Sequence, residues 1–305
     1  MKTEHLTEPS RILSSSVVAV GSFDGLHLGH RAILDALLEE SRLMGVPSVV
    51  MTFEPHPRNI TRGEDVELLT VLDEKVPVIS ALGADYLAVL HFDKKIADMS
   101  FEDFARDYLI GSLGIKKLVM GLDHGFGKGR AGNTTGLSEL GNRFGFGLRV
   151  VEPVQWNGNP IQSNIIRKTI AVGDIPYAAQ MLGRPYSISG EVVEGRGRGA
   201  KLGFPTVNIS VPKSKLLPPF GVYSAAEMSG NPGLLYIGES PTFEPKELSV
   251  EFHGLTKPYV KLGNNIALSV FERFRGEIAF ESPEKLIEQM NRDLERLKNW
   301  VNNFL

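Results

Sequence analysis

Val17-Val18-Ala19-Val20-Gly21-Ser22-Phe23-Asp24-Gly25-Leu26-His27-Leu28-Gly29-His30 runs from an apolar strand through a glycine-punctuated turn into a His-x-Gly-His pair that opens a helix. The start of a helix carries amide N–H groups with no partner inside the helix, and its aligned peptide dipoles attract anions. Gly21, Gly25 and Gly29 let the backbone approach a triphosphate closely. His27 and His30 lie three apart, so a helix beginning here puts both in its first turn. There imidazole donors stabilise charge building on the oxygens of a phosphorus under attack. Gly21, Ser22, Phe23, Asp24, Gly25 and Gly29 are therefore read as an ATP-binding turn, with His27 and His30 as its catalytic pair. A tight turn with two incidental surface histidines explains the glycines but not the order of strand, GSFDG and HLGH.

Working outward, Ile33, Leu34, Leu37, Leu38 and Leu43 recur at helical spacing over residues 30–44, and Gly45 and Pro47 supply the stop. Ser48-Val49-Val50-Met51-Thr52-Phe53 follows as a second apolar strand, which completes a βαβ unit. Strands at Tyr86–Leu90, Lys117–Met120 and Leu148–Val151, with helices near Phe101–Leu113 and Leu137–Phe144, extend the alternation. The expected first domain is an open α/β sheet of Rossmann-like type with parallel strands. Ligands of such sheets gather at the carboxyl ends of the strands, where the first strand delivers GSFDGLHLGH.

After Gly183-Arg184-Pro185-Tyr186 the rhythm changes to short β-rich runs such as Ser187–Val193, Gly221–Ala225 and Ile266–Val270. These predict a small β-barrel. Ser282 and Pro283 announce a last helix, with Leu286, Met290, Leu294, Leu297 and Val301 as a packing stripe. Trp156 and Trp300 are likewise read as packing residues. Between the barrel runs lies Gly195-Arg196-Gly197-Arg198-Gly199-Ala200-Lys201-Leu202-Gly203-Phe204-Pro205-Thr206-Val207-Asn208, a glycine loop with three cations followed by Thr-x-Asn. Its glycine amides and Lys201 suit phosphates, and Thr206 and Asn208, two apart on one strand face, suit a phosphate-bound Mg²⁺. A mobile basic hairpin has the same glycine and arginine content, so this loop alone leaves both readings open.

With 305 residues and 42% apolar content, the chain has the length of about two domains. A net charge of −3 and no basic patch argue against nucleic acid as a partner. There is no cysteine, hence no disulfide framework, thiolate metal site or catalytic thiol. MKTEHLTEPS lacks the apolar centre of a signal peptide and no run is long enough to span a bilayer, so a cytoplasmic protein without membrane contact is expected. The sequence leaves the oligomeric state open, a weak homo-oligomer included.

These residues together resemble the prokaryotic bifunctional riboflavin kinase/FAD synthetase family over nearly the whole chain. GSFDGLHLGH resembles its adenylyltransferase signature, and TFEPHPR (Thr52–Arg58) its flavin-side segment. Gly121-Leu122-Asp123 with Phe126-Gly127-Lys128-Gly129-Arg130 is similar to the next block; Ser163 and Arg167 match phosphate-binding residues near the end of that module. LGRPY, LGFPTVN, FGVY, IGESPT and Glu251 resemble kinase signatures in order. The resemblance implies an FMN adenylyltransferase domain at 1–183 and a riboflavin kinase domain at 184–305. It implies two reactions: riboflavin and ATP give FMN, then FMN and ATP give FAD and pyrophosphate. It further implies catalytic roles for Ser163, Arg167 and Glu251, ATP contacts at Gly199, Lys201, Gly203 and Pro205, and flavin contacts at Phe53, Pro55, His56, Pro57, Asp123, Phe126 and Arg275. Thr206 and Asn208 would hold Mg²⁺.

Three segments depart from the family pattern. Gln162-Ser163-Asn164 places an amide where a hydroxyl is usual; Tyr236–Thr242 lacks a cation before Pro-Thr; Thr256–Gly263 lacks an acidic loop. They leave a second reading, a monofunctional FMN adenylyltransferase with a structural or regulatory barrel.

Overall fold

The computed structural model describes residues 1–122, 132, 134–195, 199, 202–239, 248–256 and 260–304. Two compact units divide the chain, Met1–Ser163 and Asn164–Leu305. In the first, strands β1 (Lys2–Leu6), β2 (Ser16–Val20), β3 (Ser48–Glu54), β4 (Tyr86–His91), β5 (Ile115–Gly121) and β6 (Gly147–Val151) form a sheet of order β1-β4-β3-β2-β5-β6. Every pairing in it is parallel. This is the α/β architecture expected from the sequence.

β2 lies between β3 and β5, and all five of its residues are buried, as a strand covered on both faces requires. Its side chains alternate between two apolar layers. Val17 and Ala19 pack with Leu34 and Leu37 of helix α1 (Leu28–Met44) and with Ile79; Val18 and Val20 pack with Leu109, Leu137 and Leu140 on the other face. From β2 the chain proceeds to β3 and β4 on one side and later to β5 and β6 on the other. That reversal opens a crevice at the carboxyl ends of β2 and β5, the place where such sheets bind ligands.

Two elements differ from the sequence expectation. β1 pairs in parallel with β4, from Lys2 opposite Tyr86 to Leu6 opposite Leu90, yet only Leu6 of its five residues is buried. Backbone pairing, not an apolar face, holds this edge, so alternation could not announce it. The helix expected near Phe101–Leu113 is α-helical only over Phe101–Phe104 and widens into a π-helix over Ala105–Ser112. The wider turn brings Ser112 to the amino-terminal segment, where its carbonyl accepts from the amides of Ile12 and Leu13 at 2.8 and 3.1 Å.

A short hairpin, β7 (Gln155–Trp156) and β8 (Asn159–Pro160), closes the first unit. The helix Ser163–Ala171 has its first residue in the first unit and the rest in the second, which continues with helix Ile175–Leu182 and then forms β9 (Tyr186–Val193), β10 (Val207–Ser210), β11 (Gly221–Glu227), β12 (Pro232–Glu239), β13 (Leu248–Gly254) and β14 (Asn265–Arg275). These close into an antiparallel barrel of order β10-β13-β12-β11-β14-β9, sealed by the β9–β10 pairing. The expected last helix spans Pro283–Phe304 and lays Leu294, Leu297, Trp300 and Val301 against Val222, Leu234 and Phe274 of the barrel.

α1 is tied to β5 and β6 by a charged cluster. Glu40, 9% exposed, accepts from Lys117 Nζ at 2.6 Å and Arg149 Nη1 at 3.0 Å. The Lys117 hydrogen bond leads in holding its carboxyl below the ordinary range. A carboxyl depressed by folding adds stability above its unfolded pKa and loses it as the pH falls through the folded value. Glu40→Gln is therefore expected to cost about 1–2 kcal/mol at neutral pH. Urea unfolding at several pH values checks this: the gap between the two proteins should close below the usual carboxylate range, and a pH-independent gap would contradict the pairing.

Candidate active sites

The turn after β2 is built from conformations that side chains rarely adopt. Phe23 and Leu26 have φ of 45° and 43°, and Gly25 has 92°. Non-glycine residues at positive φ cost free energy and persist only where surroundings over-determine them. The surroundings here are specific. The buried Asp24 accepts from the Thr70 amide through Oδ1 at 3.0 Å, while Thr70 Oγ1 accepts from the Gly25 amide at 2.9 Å. Ser163 Oγ donates to the Asp24 carbonyl at 2.8 Å. The Ser22 carbonyl accepts from Lys75 Nζ at 2.9 Å and Thr52 Oγ1 at 3.2 Å.

α1 begins one residue later than a helix with both histidines in its first turn would. His27 is the N-cap: its Nδ1 accepts from the His30 amide at 3.3 Å. With Nδ1 accepting, the proton of the neutral ring sits on Nε2, the nitrogen turned away from the cap. The two imidazoles stack, with centroids 3.7 Å apart and planes 17° apart, and the edge of His30 meets Phe23 at 5.4 Å. Gly29 suits this arrangement, since a Cβ there would come within 3.2 Å of the His27 ring and push it aside. Gly21, Ser22, Phe23, Asp24, Gly25, His27, Gly29 and His30 thus form one continuous turn and helix start, in which Phe23, Asp24 and His27 are buried and Ser22, Gly29 and His30 are half-buried. Ser163 joins it through Asp24. Arg167 lies one turn further along the Ser163–Ala171 helix, in the second unit, and donates to Asn164 Oδ1 at 2.6 Å.

Of the residues placed on the flavin side by resemblance, Phe53 lies in the core against Phe92, with ring centroids 5.4 Å apart. Pro55, His56 and Pro57 follow β3; His56 is buried and caps the short helix Pro57–Arg62 by accepting from the Arg58 amide at 3.2 Å. Next to it, Arg58 Nε and Asn59 Oδ1 are buried without a hydrogen-bond partner among the described residues. Buried polar atoms normally find a partner, and Asn59 had no signal of its own in the sequence. Asp123 and Phe126 fall outside the described residues.

In the barrel, β10 and β13 pair with Asn208 opposite Glu251. Glu251 Oε2 accepts from Thr206 Oγ1 at 2.9 Å and Oε1 from Ser249 Oγ at 2.8 Å, so hydroxyls orient both carboxylate oxygens. Ser249 is a participant that sequence reasoning missed, a small residue two before the carboxylate on the same strand face. Gly195 makes room for the Asn208 side chain; a Cβ there would fall 1.9 Å from Nδ2. Gly199 accepts from the Phe204 amide at 2.8 Å, and Gly203 and Pro205 carry the chain to Thr206, with the Pro205 carbonyl 2.8 Å from His253 Nδ1. Lys201 lies outside the described residues, as do 196–198, 240–247 and 257–259, which take in much of the barrel's departures from the family pattern. Arg275 is engaged within the unit: its Nε and Nη2 hold Asp293 of the last helix at 2.9 and 2.8 Å. Among the described residues no helix is long and apolar enough to cross a membrane, and no cluster of three or more His, Cys, Asp or Glu side chains suits a metal ion.

Comparison with known proteins gives matches over both units. Residues 10–165 match the family described as FAD synthetase, and residues 182–301 the family described as riboflavin kinase. The bifunctional riboflavin kinase/FMN adenylyltransferase of Bacillus subtilis is 34% identical over 317 aligned positions, covering 99% of each chain. The Escherichia coli K12 protein of the same name is 34% identical over 283 positions, 91% of this chain and 90% of its own. A crystal structure described as a macrolide-efflux protein from Streptococcus pneumoniae superposes with a TM-score of 0.85 at 26% identity, covering 98% of this chain and all of the other.

The cap geometry makes a stability prediction separate from any chemistry. His27→Ala should cost about 0.5–2 kcal/mol in urea unfolding, because the His30 amide loses its acceptor, while His27→Asn, a good N-cap, should recover most of that loss. Equal stability of the wild type and the alanine variant would contradict the cap.

Proposed function

The chain belongs to the FAD synthetase family, with a riboflavin kinase region following in the same polypeptide, and on that premise we propose which residues carry its two reactions. It is an ATP-dependent transferase that phosphorylates riboflavin to FMN and adenylylates FMN to FAD; the reading with an inactive barrel is not favoured. We take the adenylyltransferase module as 1–183 and the kinase module as 184–305, the barrel starting at Tyr186. The observation that carries the assignment is the presence of two separate phosphate-handling geometries, a stacked histidine pair on a helix start and a hydroxyl-oriented carboxylate in a barrel.

In the kinase step the terminal ribityl hydroxyl oxygen attacks the γ-phosphorus of ATP, the bond to ADP breaks, and the hydroxyl proton passes to Glu251. The Thr206 and Ser249 hydroxyls hold that carboxylate in place before substrate arrives. Gly199, Lys201, Gly203 and Pro205 line the phosphates. Thr206 and Asn208 offer a hydroxyl and an amide oxygen beside the carboxylate, a set that fits Mg²⁺, which takes its other ligands from phosphates and water. When bound, Mg²⁺ neutralises phosphate charge.

In the adenylyl step an FMN phosphate oxygen attacks the α-phosphorus and pyrophosphate leaves. The nucleophile is already an anion, so no base is needed and catalysis is orientation plus electrostatics. His27 Nε2–H, His30 and the amides at the start of α1 stabilise the charge on the phosphates, with Ser163 bracing the turn through Asp24; Arg167 is the cation that the family resemblance assigns to phosphate. Pro55, His56 and Pro57 receive the flavin, and the family resemblance adds Asp123 and Phe126 to the flavin contacts. Phe53 supports that segment from the core, and Arg275 supports the kinase flavin site through the last helix.

His27→Asn keeps the cap but removes the imidazole, so FAD formation from FMN should fall about 10²-fold while FMN formation from riboflavin is retained. Glu251→Gln should do the reverse. Chromatography of products from each substrate checks both, and loss of both activities in either folded variant would contradict the two-site assignment.

A further inference from the structure

Lys75 is among the most deeply buried charged side chains of the first unit, 2% exposed, on helix Leu72–Leu82. A buried ammonium is costly unless it is paired and hydrogen-bonded. Burial pushes its pKa down, and the nearby carboxylates of Asp24, Glu54 and Glu74 oppose that shift. Charge balance alone would be met by aiming the ammonium at a carboxylate. Its Nζ instead donates to the backbone carbonyl of Ser22, which also receives Thr52 Oγ1.

That carbonyl belongs to the peptide entering Phe23, the first residue of the strained turn, at φ 45°. Peptides are planar, and in the trans form the carbonyl oxygen and the next N–H point in opposite directions. Among the described residues only Glu54–Pro55 is cis. Drawing the Ser22 oxygen toward Lys75 and Thr52 therefore turns the Phe23 N–H the other way. We infer that Lys75 is a positioning residue for adenylyl transfer, locking the Ser22–Phe23 peptide so that an N–H donor rather than a carbonyl oxygen faces the nucleotide phosphates. The inference rests on the assignment of adenylyl transfer to this turn.

Two consequences follow from the geometry. A flipped Ser22–Phe23 peptide would remove one donor and also set a partial negative charge against an anion. The Lys75 charge also offsets the buried carboxylates of Asp24 and Glu74, which would otherwise oppose phosphate binding. Lys75 and Thr52 act on one atom, so their effects should not add.

The test uses the full chain with Lys75→Met, Thr52→Val and the double variant, measuring FAD formation from FMN, FMN formation from riboflavin and thermal unfolding. Lys75→Met should lower the adenylyl kcat about 10²-fold, the scale of one lost transition-state donor, while the KM for ATP moves far less and the kinase rate stays level. Thr52→Val, which keeps the shape of the side chain, should lower the same kcat by a smaller factor, and the double variant should be no slower than Lys75→Met. Undiminished kcat in folded Lys75→Met overturns the inference, as does undiminished kcat in Thr52→Val should the methionine variant not fold. Loss of kcat only in proportion to loss of folded protein also overturns it, since that is a structural role. If the wild type itself makes no FAD from FMN and ATP, the underlying assignment fails instead.

Discussion

The reciprocal bond between Asp24 and Thr70, side chain to amide in one direction and amide to hydroxyl in the other, fixes the turn on which the first unit depends. Without it, Phe23 and Leu26 would have no reason to remain at positive φ, and α1 would not start where it does. With it, β2 hands the chain directly into a helix whose first residues face the crevice at the sheet's reversal point. The His27 ring then serves two ends at once. Its Nδ1 completes the helix cap, and that bond leaves Nε2 as the protonated nitrogen.

On the proposed assignment the two units handle phosphorus by different means because their nucleophiles differ. An alcohol must lose a proton as it attacks, which calls for a carboxylate held still; Glu251 has a hydroxyl on each oxygen. A phosphate monoester arrives as an anion, so in this proposal the first unit needs only donors and a helix start. The strands serve these ends differently as well. A parallel sheet gathers loops at one edge, whereas antiparallel pairing in the barrel sets Asn208 directly across from Glu251.

Much of this was legible in the sequence because it rests on local pattern. The alternating layers of β2, the amphipathic α1 and the apolar stripe of the last helix follow from period and punctuation. What was not legible depends on long-range pairing. Lys75 reads as an ordinary polar position of a helix, and only the fold brings it 53 residues back to Ser22. Thr52 and Ser249 are small hydroxyl residues inside strands whose partners cannot be seen in one dimension. β1 is polar and held by its backbone, so it has no apolar signature. His27 was placed in the helix rather than at its cap because spacing gives the turn but not the boundary. Phe53 and Arg275 were reached by resemblance, which transfers a position but not what the side chain packs against. In this chain one lies in the core and the other holds the last helix.

The central claim is that one chain performs two successive attacks on phosphorus, at γ in the barrel and at α beside the histidines. Incubating the protein with riboflavin and ATP labelled either at the γ or at the α position, then cleaving the FAD formed into FMN and AMP, reads both events in one product. The account predicts γ label only in the FMN half and α label only in the AMP half. α label in the FMN half, or FAD carrying no γ label, would contradict it.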